Sequence, residues 1–188
     1  MKKHRTIEDY IKEIQHALIQ ASLNYDIWRV YTSPKYRKRF NDTMNNYDAF
    51  FHASIHAHFL ATIVPLYRIY ETRQDSYNFK RLLIKMKEIN LNTTKIEMKL
   101  LKTKLAWAKI AKIRNEVFGH RIINSSIEEI FNEASIRPID IYNLIILSKS
   151  IVNNISYMFN NSSNAFNLSA KEDTLNLLKD LKKINFRK

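Results

Sequence analysis

Thirteen consecutive residues, IAKIRNEVFGHRI at positions 110–122, carry the side-chain types best suited to chemistry in this chain. Arg114 and His120 stand six residues apart, with Asn115 beside the arginine. A guanidinium and an imidazole that meet can hold an anion and move a proton near neutral pH, because the reference imidazole pKa is about 6.5. On an unbroken α-helix they do not meet. Six residues turn the helix by about 600°, which leaves the two side chains about 120° apart. They converge only where the helix stops between them. Gly119, the single glycine of the chain, occupies that place. Glycine takes the left-handed conformation that ends a helix at little steric cost, so His120 can leave the axis and fold back toward Arg114. The same glycine serves equally as an ordinary helix C-cap with no chemistry attached, and spacing alone leaves both readings open.

The elements that must position this segment are helices. One glycine and three prolines in 188 residues leave a β-rich fold without its turns. Apolar residues recur instead at three-to-four spacing. Thr6 and Asp9 resemble a capping box, and Tyr10, Ile11, Ile14, Ala17, Leu18 and Ala21 follow as one stripe. The stripe loosens near Asn24, and a shorter aromatic segment with Tyr25, Trp28 and Tyr31 is expected to end before Pro34. A second long helix is expected from about Asp48 to Glu71, kinked at Pro65. A third starts at Ser76. The fourth runs from about Thr94 to about Phe118 and carries Arg114. A short helix opens at Ser125, and Pro138 opens a long one to Phe159. A polar linker near 160–168 leads to a C-terminal helix, 169–184. The fold class expected is all-α: one domain over 1–188, a bundle of four to five long helices with short additional ones.

Bulk composition narrows the function classes. There is no cysteine, so disulfides and thiolate zinc sites are excluded and a reducing compartment fits best. The start, MKKHRTIEDYIKEI, is basic, but acidic residues interrupt any apolar run, and the greasy stretch from Ile141 to Phe159 is too polar to span a membrane. No membrane partner is expected, and the location expected is cytoplasmic. The net charge is +13. A basic field of that size favours a polyanion such as RNA, although joint enrichment in Lys, Asn and Ile can also reflect nucleotide composition.

Arg-Asn, four residues, then His resembles the Arg-polar-x-His signature of the HEPN superfamily. The layout is also similar: the signature ends a long central helix, a loop follows, then another long helix. The nearest likeness is to the abortive-infection U-like (AbiU-like) branch, on overall length, on the aromatic-rich region ahead of the second helix, and on LYRIYETRQDSYNF (66–79) followed by RNEVFGHR (114–121). The resemblance implies a symmetric homodimer that gathers two copies of the motif in one basic cleft. It also implies metal-independent cutting of RNA by a toxin of a toxin–antitoxin or phage-defence system, with a cognate antitoxin protein as partner and no cofactor. His120 would take the proton from a ribose 2′-OH or give one to the leaving oxygen. Arg114 would hold the scissile phosphate, and Asn115 would orient the phosphate or the histidine. Arg121 and Lys112 would add phosphate contacts, with Arg68 and Glu71 as support from the second long helix, although a capping and salt-bridge role suits those two better. Some HEPN toxins carry a tyrosine two residues after the histidine that the antitoxin modifies; here that residue is Ile122, which removes that route. Two other readings stay open: a non-catalytic RNA- or nucleotide-binding HEPN module, and a helical protein-interaction domain.

Weaker signals surround these. His52 and His56 share a helix face at i, i+4, a spacing that suits a metal but suits packing better, since no cysteine accompanies them; no metal is expected. Tyr36-Arg37-Lys38-Arg39-Phe40 mixes cations with aromatics, as single-strand RNA grooves do, and reads equally as a solvated loop. Trp107 reads as core or dimer interface.

Overall fold

The computed structural model describes residues 5–119 and 132–185. The described part is a helical bundle in the order α1 (Ile7–Thr32), α2 (Pro34–Asn45), α3 (Asp48–Tyr70), α4 (Phe79–Glu88), α5 (Thr94–Ile113), a π-helical turn (Arg114–Gly119), α6 (Pro138–Asn160) and α7 (Lys171–Asn185). No strand occurs among the described residues. The all-α expectation therefore holds. The short helix expected from Ser125 lies outside the described residues.

α1 begins at the anticipated capping box. The Thr6 hydroxyl accepts from the Asp9 amide at 3.1 Å, and the Asp9 carboxylate accepts from the Thr6 amide at 2.9 Å. The helix then runs unbroken for 26 residues. The expected interruption near Asn24 does not occur. Asn24 is satisfied within the helix and across to α3, its Nδ2 donating to the Gln20 carbonyl and its Oδ1 pairing with His58 Nδ1 at 2.7 Å, and the later aromatics extend the buried face rather than starting a new segment. α2 follows at once, with Pro34 in its first turn, where a missing N–H costs nothing. The basic-aromatic stretch 35–39 is thus helix, not loop, and Phe40 (φ −119°, ψ 15°) marks a kink within α2.

Pro65 sits inside α3 without ending it. α3 is long and apolar enough to cross a membrane by length and composition. Phe51, Phe59, Ile63, Leu66 and Ile69 are nevertheless buried, and α3 packs along most of α1. α4 starts at Phe79 rather than Ser76, because Asn78 is the better cap. Asn78 is fully buried, its Oδ1 accepts from the Arg81 amide at 2.9 Å, and its Nδ2 donates to the Arg73 carbonyl and Ser76 hydroxyl.

The main core joins the α1 stripe to α3 and to Ile141, Leu144, Ile145, Ile151, Val152 and Ile155 of α6. A smaller core gathers Val30, Tyr31, Phe40, Met44 and Phe51 around Leu175 and Leu178 of α7. The C-terminal helix therefore packs on α1 and α2. The asparagine-rich connection before it is pinned on both edges: Asn153 donates to the Asn164 carbonyl at 2.8 Å and accepts from its amide at 3.0 Å. Asp26 accepts from Ser169 and Ala170 at the entry to α7.

Candidate active site

α5 is anchored by Ile110 and Ile113, both fully buried. The residue after Ile113 must therefore leave at the edge of the core, and Arg114 is half-buried there. From Arg114 the helix widens into the π turn, whose bonds close five residues apart rather than four. Such turns concentrate at functional sites because they re-aim the side chains they carry.

Arg114 is held from below. Its Cζ lies 4.7 Å from the centroid of the Tyr67 ring on α3. Tyr67 in turn stacks on Trp107 of α5, with centroids 6.4 Å apart and planes 24° from parallel. The result is a three-layer stack of guanidinium, phenol and indole. A contact of this kind is worth about 0.5–2 kcal/mol, more as water is excluded. It uses the face of the guanidinium, whereas the N–H donors lie on its edge. One of these, Nη1, donates to Asn115 Oδ1 at 3.0 Å. Among the described residues no other acceptor engages the guanidinium.

The surrounding helix ends are tied together. Lys109 of α5 donates to the Ser135 carbonyl at 2.9 Å and pairs with Asp140 at 3.4 Å. Asp140 also accepts from the Arg137 amide and guanidinium at the start of α6. The Tyr25 hydroxyl on α1 donates to the Pro138 carbonyl at 2.9 Å. Arg137 first, then Lys109, hold the Asp140 carboxyl down at about 2, against burial that pushes it up. A carboxylate with a lowered folded pKa stabilises above its unfolded value and ceases to do so as pH falls through the folded one. Asp140→Asn, which keeps an acceptor for the Arg137 amide, should cost on the order of 1 kcal/mol at neutral pH, after screening at this partly exposed pair. The difference between the two proteins should shrink as pH falls from about 4 to about 2 in urea titrations; a constant difference would show that charge is not its source.

The other predicted site residues are placed as follows. Lys112 is already engaged, pairing with Glu116 at 3.9 Å and with Glu133. The Glu133 bond raises its pKa above the ordinary lysine value. To hold a phosphate it must exchange carboxylates for that phosphate. Arg68 is half-buried next to Tyr67, and its Nε is buried with no partner among the described residues. Glu71 caps the end of α3 and is half-buried. His120 and Arg121 lie outside the described residues, and with them the expected fold-back past Gly119. His52 and His56 line a small groove with Trp28, Ile55 and Phe59. No group of three or more His, Cys, Asp or Glu with metal-ligand placement occurs among the described residues.

Tyr67 was not legible in the sequence: Arg68 and Glu71 stand out on the same helix, but nothing in the spacing links position 67 to position 114. Trp107, read as core or interface, is the outer layer of the stack that seats Arg114.

The chain matches the family model described as HEPN_AbiU2: AbiU2, over residues 5–178. It belongs to that family. No curated protein and no solved structure matches it. The match runs from the start of α1 through the linker and into the first half of α7, and it takes in the helices around Arg114. The domain is accordingly an abortive-infection-related HEPN domain.

Proposed function

We propose that this HEPN domain is a metal-independent endoribonuclease, working as a homodimer and serving as the toxin of a toxin–antitoxin or phage-defence system in the cytoplasm. The observation that carries the reading is the seating of Arg114 on Tyr67 at the end of α5, six residues ahead of His120. A guanidinium fixed by its face, with only the Asn115 bond on its edge among the described residues, is prepared for a phosphate, since little side-chain freedom remains to be lost on binding.

In this reading the ribose 2′-oxygen attacks the adjacent phosphorus and the bond from phosphorus to the 5′-oxygen breaks. The 2′-OH loses one proton and the 5′-oxygen gains one, so the step balances without a metal or external nucleophile. His120 takes the first proton or supplies the second. Arg114 carries the extra negative charge of the transition state, and Asn115 keeps the guanidinium in register. Arg121, Lys112 and Arg68 supply cationic support along the strand, and Glu71 supports Arg68. Products are a 2′,3′-cyclic phosphate and a 5′-OH, and DNA is spared because it lacks the nucleophile. A cognate antitoxin protein restrains the activity by a route other than modification at position 122, which is Ile.

The test is cleavage of a mixed RNA pool in EDTA by the wild type and by His120→Ala, purified identically. Cyclic-phosphate ends from the wild type and no cleavage by the variant support the reading. Salt-sensitive RNA binding without cleavage by either protein moves the assignment to a non-catalytic RNA-binding module.

A further inference from the structure

We propose that the groove between α1 and α3 formed by Trp28, His52, Ile55, His56 and Phe59 is a stacking subsite for a base of single-stranded RNA, upstream or downstream of the phosphate held at Arg114. The proposal rests on the ribonuclease reading and adds a second point of contact to it.

The groove encloses about 300 Å³, at the lower end of the range for small-ligand sites. One wall is the half-buried indole of Trp28, which rests on Phe59 at 5.0 Å between centroids and on Tyr25 at 5.9 Å. These contacts hold the ring in place, so a base meets a fixed platform. The other rim is His52 and His56, one helical turn apart and both exposed. None of the lining residues is a carboxylate.

Charge favours a polyanion over an apolar ligand. The Arg29 guanidinium lies 5.7 Å from the Trp28 ring. α2, which starts two residues past the end of α1, exposes Lys35, Arg37, Lys38 and Arg39. Aromatic faces combined with cations that track the backbone are what single-strand binding requires, because every base has a π-face and every linkage a charge.

The groove is also connected to Arg114. On α3 the positions His56, Leu60, Val64 and Tyr67 follow one another at four, four and three residues, and all are exposed or half-exposed. They form a strip that leads from the groove to the ring under Arg114. Eleven residues of helix separate His56 from Tyr67, about 16 Å along the axis. A strand with its phosphate at Arg114 therefore reaches Trp28 with a base only a few nucleotides away.

The quenching experiment uses Trp107→Phe, which keeps an aromatic ring beneath Tyr67 and leaves Trp28 as the sole tryptophan of the two, and cleavage is read in the wild type. A short 2′-O-methyl RNA oligonucleotide, which cannot react, is titrated against its emission, beside an abasic strand with the same phosphates. The expected result is quenching by the base-bearing strand and not by the abasic one. Trp28→Leu should weaken binding of the base-bearing strand roughly tenfold, Trp28→Phe should recover most of it, and the abasic strand should bind all three alike. Equal effects of the two strands on Trp28 emission, or unchanged affinity in folded Trp28→Leu, overturn the subsite. The quench needs no change at Trp28, so a misfolded variant does not remove the test. Base-dependent quenching in a protein that cleaves nothing keeps the subsite and sinks the ribonuclease reading; cleavage without such quenching does the reverse.

Discussion

Arg114→Lys should lower RNA cleavage by about 100-fold or more while leaving the melting temperature nearly unchanged. The size follows from what a fixed donor contributes where charge develops, about 10²- to 10³-fold per group removed. Lysine keeps the charge but loses the planar fork, the stack on Tyr67 and the bond to Asn115. Tyr67→Leu then separates seating from chemistry. It leaves the guanidinium in place but free to rotate, so cleavage should fall by about tenfold, mostly in kcat, because the loss is of preorganisation. The measurement is initial cleavage rate on one defined RNA strand in EDTA. Full activity in Arg114→Lys would show that Arg114 acts only as a surface charge. Equal losses in both variants with a lowered melting temperature would show that the stack serves the fold rather than the phosphate.

The contrast between Arg114 and Tyr67 also marks what was legible in the sequence. Helix composition was legible because glycine and proline are nearly absent and because the stripes of α6 and of the first half of α1 keep one period. The segment bearing Arg114 and Asn115 was legible because polar, chemically able residues interrupt an apolar helix end. The break expected near Asn24 was not correct, since a stripe that loosens in one-dimensional pattern can continue as a face wrapped by a neighbour, here α3 and α6. The start of α4 moved because a buried asparagine capped better than a half-buried serine. Tyr67 was invisible for a different reason. Its partners, Trp107 and Arg114, are 40 and 47 positions away, and a contact between helices leaves no periodic trace in either one. The homodimer was inferred from family resemblance, with no sequence feature behind it. The structure supplies a surface on which to test it.

That surface is the outer face of α5. Met98, Leu101 and Leu105 follow at i, i+3 and i+7 and are 61%, 70% and 81% exposed, so they form one uncovered apolar ridge on the helix that ends in Arg114. A cleft of about 660 Å³ between α5 and α6 flanks it on the Leu105 side, and a groove of about 520 Å³ between α4 and α5 flanks it on the Leu101 side. A ridge beside grooves on one surface is self-complementary, which is what a two-fold interface requires. Leu105 is nine residues from Arg114, about 14 Å of helix, so two copies meeting here bring both arginines within reach of one strand. Leu101→Glu and Leu105→Glu place a carboxylate on positions that are already solvated in the single chain, and so should not unfold it. Each should convert the protein from dimer to monomer at micromolar concentration, measured by sedimentation. Cleavage should fall by about 100-fold or more with Arg114, Asn115 and His120 all intact, because each half-site then lacks its partner's groups. Salt separates the two associations. Lys102 and Lys104 line the flanking clefts and would face their counterparts if two copies met on this ridge, so a dimer formed there should tighten as salt screens them. RNA binding should weaken under the same change, because phosphate contacts release counterions. A wild type that sediments as a monomer, or a monomeric Leu105→Glu that cleaves at the wild-type rate, would place the complete site within one chain.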